Sequence, residues 1–259
     1  PEGYTNTFDE IFRLVEEKGV LALKPDEGSH GDGFYKFTYE DGKYQLNYQD
    51  VTKQQVLDIL EDINNQYLVT EYINMCDELK AVYDGAVNTV RMIVFKKDGK
   101  NPQIGNAYVR FGSKKTGAVD NVGAGGMTAT IDVATGHFHD AKIVMNNSIE
   151  DCPIHPDTGV PIDGYLPHWE QVKQQVLDVT KSIKQLEFFG VDLAVTNDGI
   201  KFPEINRFPD YPAVEKYTKP TREYLLYKLA GKKHHYGYDV TPNKTLVHLP
   251  KRDSERGKS

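Results

Sequence analysis

The stretch VDLAVTNDGIKFPEINR, residues 191–207, carries acids where a buried hairpin should carry core. Its apolar alternation predicts two strands around the turn at Asn197-Asp198-Gly199, with glycine third as a left-handed position requires. A three-residue loop pairs Thr196 with Ile200 and sets Asp192 opposite Glu204. Strand side chains alternate, so Phe202, Glu204 and Asn206 then share the face of Asp192. Val191, Leu193, Val195, Pro203 and Ile205 form the other, core-like face. A loop of only Asp198-Gly199 would slip the register and put Asp192 against Ile205. The segregation of apolar residues favours the first register. In it two carboxylates lie with Cβ atoms ~5 Å apart, which is unfavourable unless a cation sits between them. Asp192, Glu204 and Asn206 offer three hard oxygens, a set that suits Mg²⁺ or Mn²⁺. Solvated charges at a sheet end are the competing reading. Pro203 gives up a ladder donor, so an open edge or a bulge is expected there.

A second group of residues has phosphate chemistry. In LALKPDEGSHGDGFYKF, Lys24 points away from Leu21 and Leu23, and Gly28, Ser29, Gly31 and Gly33 follow it. Glycines let backbone N–H groups approach phosphate oxygens, and a lysine adds a point charge. His30 lies in the same loop. The spacing fits neither GxxxxGK[ST] nor GxGxxG. Further on, VTEYINMCDEL breaks a strand at Glu71, Tyr72 and Ile73, whose backbone can face an adenine edge. Glu78 follows within reach of a ribose, or is a surface acid. Arg91 and Arg110 interrupt apolar strands, where a guanidinium is costly unless paired. They either face a transferring phosphate, where they would be catalytic, or make structural ion pairs, for example with Asp120. Asp120 and Asn121 with Gly125 and Gly126 form either an acceptor-site loop or a glycine turn. His137 and His139 share a strand face without a third metal ligand in view, so surface placement is expected for them.

These residues need elements to hold them. FDEIFRLVEE has helical spacing and ends at Gly19. VLALKP is a strand, and FYKFTYE and GKYQLNY flank an Asp41-Gly42 hairpin turn. QQVLDILEDIN reads as an amphipathic helix and QYLVTEYI as a strand. Beyond residue 76 come NTVRMIVFKKDG, GNAYVRFGS, MTATIDVATG and GHFHDAKIV, successive strands of a meandering antiparallel sheet. Residues 153–165 read as a loop, WEQVKQQVLDVTKSIKQL as a long helix, and AVEKYTKPTREYLLYKLAG as a last helix broken at Pro220. Trp169 is expected in the core. The segregation of strands from helices predicts an α+β fold of two lobes, with residues 1–72 the smaller, 73–240 the larger and 241–259 a polar tail.

The chain has 259 residues, 39% hydrophobic and 27% charged, with a formal net charge of -7. That composition fits a globular protein with a real core and argues against bulk nucleic-acid binding. It leaves room for a local basic cleft. Cys76 and Cys152 form no framework, which fits a reducing compartment. No apolar run reaches membrane-spanning length and no signal-peptide pattern is seen, so a cytoplasmic protein is expected, of unspecified oligomeric state.

The ordered set resembles the ATP-grasp superfamily: strand-Lys-Pro, glycine loop, Glu-Tyr-Ile at a strand end, a strand Asp, then Glu-x-Asn. The resemblance covers about Val20 to Arg207. It implies two α+β lobes clasping ATP, with Lys24 and the 28–33 loop on the phosphates. It also implies Glu71, Tyr72 and Ile73 at adenine, Glu78 at ribose, and Asp192, Glu204 and Asn206 on Mg²⁺. AVNTVRMIVF, AYVRFGSKKTGAVDN and GAGGMTATIDVATG look like the sugar-transfer-associated branch, met in polysaccharide biosynthesis. One departure stands out. Such proteins usually carry a further phosphate-contacting lysine well before the Lys-Pro strand, and Lys18 sits in the wrong place to be it. Either the piece that carries it is missing here, or nucleotide binding is weaker. The resemblance implies an ATP- and Mg-dependent carboxylate–amine ligase acting on a small-molecule or glycan-linked acceptor. A kinase with a hydroxyl acceptor and Asp120 as base, and a nucleotide-binding module without turnover, are the alternatives.

Overall fold

The computed structural model describes residues 7–26, 33–61, 67–96, 99–145, 148–207 and 209. Ser29, His30 and Gly31 of the glycine loop, the expected helix near Pro220 and the polar tail lie outside the described residues.

The chain opens with α1 (Phe8–Lys18) and β1 (Val20–Pro25). Ile11, Phe12 and Val15 of α1 recur at helical spacing and are buried, and Gly19 closes the helix at φ 78°. The left-handed turn at Asp41-Gly42, φ 51° and 78°, joins β2 (Tyr35–Glu40) to β3 (Lys43–Leu46) as hairpin twist demands. A short β4 (Gln49–Val51) follows, which the sequence reading did not separate from its neighbours. Thr52 and Gln55 cap each other's backbone at the start of α2 (Lys53–Leu60), the reciprocal arrangement that satisfies two orphan N–H groups. With β5 (Tyr67–Glu71), the order β4-β3-β2-β1-β5 makes a five-stranded sheet. Its core gathers Phe12, Val15, Leu23, Phe37 and Val56.

Short α3 (Asp77–Val82) leads into a second sheet. Asn197 Oδ1 accepts from the Asp77 N–H at 3.1 Å and the Cys76 N–H donates to the Val195 carbonyl at 2.7 Å, so α3 is pinned to the far hairpin. The strands are β6 (Val90–Lys96), β7 (Pro102–Phe111), β8 (Met127–Ile131), β9 (His137–Met145), β10 (Ser148–Asp151) and β11 (Gly164–Tyr165). Helix α4 (Trp169–Ser182) then precedes β12 (Phe188–Thr196) and β13 (Gly199–Asn206). Among the described residues the order is β10-β9-β8-β7-β6-β12-β13, with β11 also on β9, and each of these pairings is antiparallel. Trp169, Val172 and Val176 of α4 join Val94, Phe111, Phe138 and Val191 in a core separate from the first. One face of this sheet is therefore dry, and the other carries the polar groups described next.

The hairpin corrects one expectation. Its loop is Asn197-Asp198, with Thr196 opposite Gly199 and Val195 opposite Ile200, not the three-residue turn. That register alone would set Asp192 against Pro203. A bulge between the Ala194–Lys201 and Asp192–Glu204 pairs inserts one residue into β13 and brings Glu204 opposite Asp192. The expected pairing is thus reached by another route, and Pro203 lies in the bulge on an edge strand, the setting where a missing donor costs least. The expected core face holds only on β12: Val191, Leu193 and Val195 are fully buried, whereas Pro203 and Ile205 are exposed.

Candidate active site

A cleft of about 1270 Å³ lies between the two sheets. From the first sheet come Ala22, Lys24, Thr70 and the strand end Glu71, Tyr72 and Ile73. The alternation of β1 aims Lys24 at the cleft while Leu21 and Leu23 are buried. Gly33, at φ 76°, closes the glycine loop, and its backbone turn admits a Cβ only against the Pro25 ring, 3.3 Å away.

From the second sheet come Arg91, Arg110, Asp192, Glu204 and Asn206, and from the connection between β7 and β8 comes Asp120. Asp192 is 3% exposed and Arg91 7%. Arg91 Nε and Nη2 donate to Asp192 Oδ1 and Oδ2, both at 2.6 Å, a planar fork on a planar acceptor. Arg110 Nη2 adds a bond to Oδ2 at 2.8 Å. Burial alone would raise the Asp192 carboxyl; hydrogen bonds and charge from Arg91 and Arg110 outweigh it and hold the group below the usual carboxylate range. Asp120 goes the other way: burial pushes it up, and neither Arg110 nor Thr89 offsets that fully. Thr89 joins Asp120 to Arg110. Its N–H and hydroxyl donate to Asp120 Oδ2 at 2.7 and 2.5 Å, and its oxygen accepts from Arg110 Nη2 at 2.6 Å. The arginines are therefore ion-paired, chiefly with Asp192 and only at 3.6 Å between Arg110 and Asp120, and both line the cleft.

Thr89 and Tyr108 were not among the residues singled out from the sequence. A signal was available: each lies two residues before an arginine, Tyr108 on the strand of Arg110 and Thr89 immediately before the strand of Arg91, a spacing that keeps side chains on one face. Tyr108 lines the cleft, and burial raises its hydroxyl pKa against the pull of Arg91 and Arg110. Lys201 was also missed. Its ammonium pairs with Glu71 at 2.5 Å, linking the two sheets across the cleft. Tyr72 is desolvated, which raises its hydroxyl pKa, and its ring lies 4.9 Å from the Lys36 ammonium.

The other candidates sort by position. Asn121 lines the cleft, and its side chain accepts from the Gly123 N–H at 2.9 Å. Gly125, at φ 108°, and Gly126, where a Cβ would come within 2.8 Å of the Phe111 carbonyl, form the tight return into β8 and do not line the cleft. Glu78 is exposed in the first turn of α3 and is also outside the lining. His137 and His139 stack on each other at 4.8 Å. Trp169 is buried, as expected.

The donor chemistry fits a hard divalent cation. Glu204 faces Asp192 across the hairpin. The Asn206 amide is satisfied with its nitrogen 2.7 Å from Glu204 Oε1 and its oxygen 3.1 Å from Arg91 Nη2. Two carboxylates and an amide oxygen on one face match Mg²⁺ preferences. Among the described residues no group of three or more His, Cys, Asp or Glu is placed to hold a metal ion, so a set on this face has to include the Asn206 amide. Both Asp192 oxygens already bear guanidiniums, so an ion here shares that carboxylate with them.

Solved structures similar to this chain include N5-carboxyaminoimidazole synthetase from Staphylococcus aureus with ADP, at 12% identity and TM-score 0.43, covering 78% of this chain and 38% of that one. Two others are D-alanine–D-alanine ligase from Bacillus anthracis, at 12% identity and TM-score 0.39, covering 85% and 51%, and the same ligase with ATP, at 11% and 0.39, covering 88% and 53%. This chain therefore spans about half or less of their length. No curated protein sequence matches it. The sugar-transfer associated ATP-grasp family matches residues 2–213, and with two mostly antiparallel α+β units on either side of the cleft, the chain belongs to that family and has its fold.

Proposed function

We propose that the cleft binds ATP and that the protein is an ATP-dependent ligase joining a carboxylate to an amine on a sugar-type or glycan-linked acceptor. The observation that carries this reading is the Arg91–Asp192–Arg110 cluster, which puts two guanidiniums at the floor of a cleft whose opposite wall bears Lys24. Adenine lies against Glu71, Tyr72 and Ile73, and the triphosphate runs past Lys24 toward the arginines. Asp192, Glu204 and Asn206 would hold the metal. When bound, Mg²⁺ supplies charge neutralisation between the phosphates. The acceptor carboxylate attacks the γ-phosphorus, the bond to the bridging oxygen breaks, and ADP leaves. An amine then attacks the acyl carbon, loses a proton and expels phosphate. Arg91 and Arg110 stabilise the charge on the transferring group, a role that fixed guanidiniums perform without reorganisation.

A second reading has its own observation. Asp120 lines the cleft beside Arg110, where a carboxylate can take the proton of an attacking hydroxyl, and that chemistry is a kinase. Incubation with ATP, Mg²⁺ and pooled sugar acids and amines separates the cases. Phosphate with an amide product is expected; a phosphorylated product means kinase, and saturable ATP binding without ADP means a binding module.

A further inference from the structure

The polar face of the second sheet does not stop at the arginines. Glu204, Asp192, Arg91, Tyr108, Thr130 and His139 are successive directly opposed partners on β13, β12, β6, β7, β8 and β9. Directly opposed side chains lie on one face, so these six form one row across the sheet. The core face is the other one, where Phe138 is 1% exposed. From His139 the row turns along β9 to His137, whose opposite partner is Tyr165 on β11. The His137 ring stacks on His139 at 4.8 Å and on Tyr165 at 4.6 Å, 18° from parallel. Asp163 Oδ1 lies 3.1 Å from His137 Nε2 and fixes the middle ring. Tyr165 is 61% exposed although His137 covers one of its ring faces, so the far face is open to solvent.

The row has more length than a nucleotide needs. Strands are ~4.8 Å apart, so four strand steps carry it about 19 Å from Arg91 to the level of Tyr165. The triphosphate ends at Arg91 and Arg110. What lies beyond it is a hydroxyl, imidazole edges and then an open phenol face. Hydroxyl and imidazole groups exchange hydrogen bonds with a polyol, and the electron-rich ring face attracts the slightly positive axial C–H groups of a pyranose. A flat aromatic face held by two stacked rings presents that surface at little entropic cost.

We propose that this row is the acceptor track: a glycan lies along it with its reacting end at Arg91 and Arg110 and a pyranose ring stacked on Tyr165. The proposal rests on the ligase reading for the reacting end only, since ring stacking at Tyr165 holds for either group transferred. It names Tyr165, His137 and His139 as acceptor-binding residues and extends the acceptor beyond a monosaccharide.

The test is calorimetric titration in the presence of MgATP, with a linear hexuronate trisaccharide as ligand and open-chain gluconate, which lacks a ring, as control. Expected is trisaccharide binding about tenfold or more tighter than gluconate, a margin of ~1.4 kcal/mol. Tyr165→Ala removes that margin and Tyr165→Phe keeps it. MgATP affinity stays the same in both variants, since Tyr165 is outside the cleft lining. No trisaccharide binding at millimolar concentration, or binding indifferent to Tyr165→Ala, overturns the proposal. MgATP binding measured alongside reports separately on the nucleotide site, so failure of the track and failure of the ATP reading are told apart.

Discussion

At the residue scale the decisive group is Asp192, held by Arg91 and Arg110 in a nearly dry position. Removing one member of a buried ion pair leaves the others uncompensated, at about 3–5 kcal/mol. Asp192→Asn should lose that much in urea unfolding, so it is a poor probe of nucleotide binding by itself. Glu204→Gln is the better one. Glu204 is exposed, and the change should cost less than about 0.5 kcal/mol, as surface substitutions do. It should nevertheless abolish Mg²⁺-dependent ATP binding in calorimetry; unchanged binding would remove Glu204 from the metal set. The pH dependence follows from the lowered Asp192 carboxyl. A depressed folded-state value stabilises above the unfolded value of about 3.9 and that contribution is lost as pH falls below it. Urea midpoints should therefore drop in acid for the parent protein, with a shallower acid slope in Asp192→Asn. Asp120, raised by burial, has the opposite sign: its contribution falls as pH rises from about 3.9 toward its folded value.

At the element scale the site depends on a count of residues in one hairpin. The Asn197-Asp198 turn sets a register that would leave Asp192 facing Pro203, and the bulge adds the residue that delivers Glu204. Deleting Pro203 should remove the bulge and still leave Glu204 opposite Asp192. ATP affinity should then shift by less than about tenfold, under 1.4 kcal/mol, by Mg²⁺-dependent titration. A complete loss would show that the twist of the bulge itself positions the carboxylate. β13 is an edge strand with exposed residues from Lys201 to Ile205, so the deletion should spare the core. Each arginine is likewise set by its strand: Val90 and Met92 of β6 and Val109 and Phe111 of β7 join the core that includes α4, so Arg91 and Arg110 between them lie on the opposite face and line the cleft.

At the scale of the whole molecule, contacts among the described residues tie the first sheet and its turns to the second sheet and the loop before it. Lys201 pairs with Glu71, and the Tyr48 hydroxyl donates to the Gly85 carbonyl at 2.7 Å. Tyr48 holds φ 70° in the Asn47-Tyr48 turn between β3 and β4, a conformation that costs a bulky residue energy and persists only where its surroundings impose it. The Glu71–Lys201 pair is exposed, so Lys201→Ala should lower stability by less than ~1 kcal/mol, with the difference fading at high salt in melting experiments. A ligand seated between the sheets stabilises by mass action. MgATP at 100 times its Kd should add about 2.7 kcal/mol to the unfolding free energy, and the gain should vanish in Glu204→Gln.

The sequence by itself determined the strands that bear Lys24, Arg91, Arg110 and Asp192, because alternation of apolar and polar residues is a local property. It also determined that Asp192, Glu204 and Asn206 share a face, although by a turn that does not exist. The order of its motifs was enough to point to the family. Tertiary structure decided the rest. Whether Arg91 and Arg110 face phosphate or pair with acid was open, because ion pairing depends on which strands become neighbours; β12 beside β6 puts Asp192 between them. The row from Glu204 to Tyr165 is invisible along the chain for the same reason. Its members are spread from residue 91 to residue 204, and only the register of seven strands aligns them.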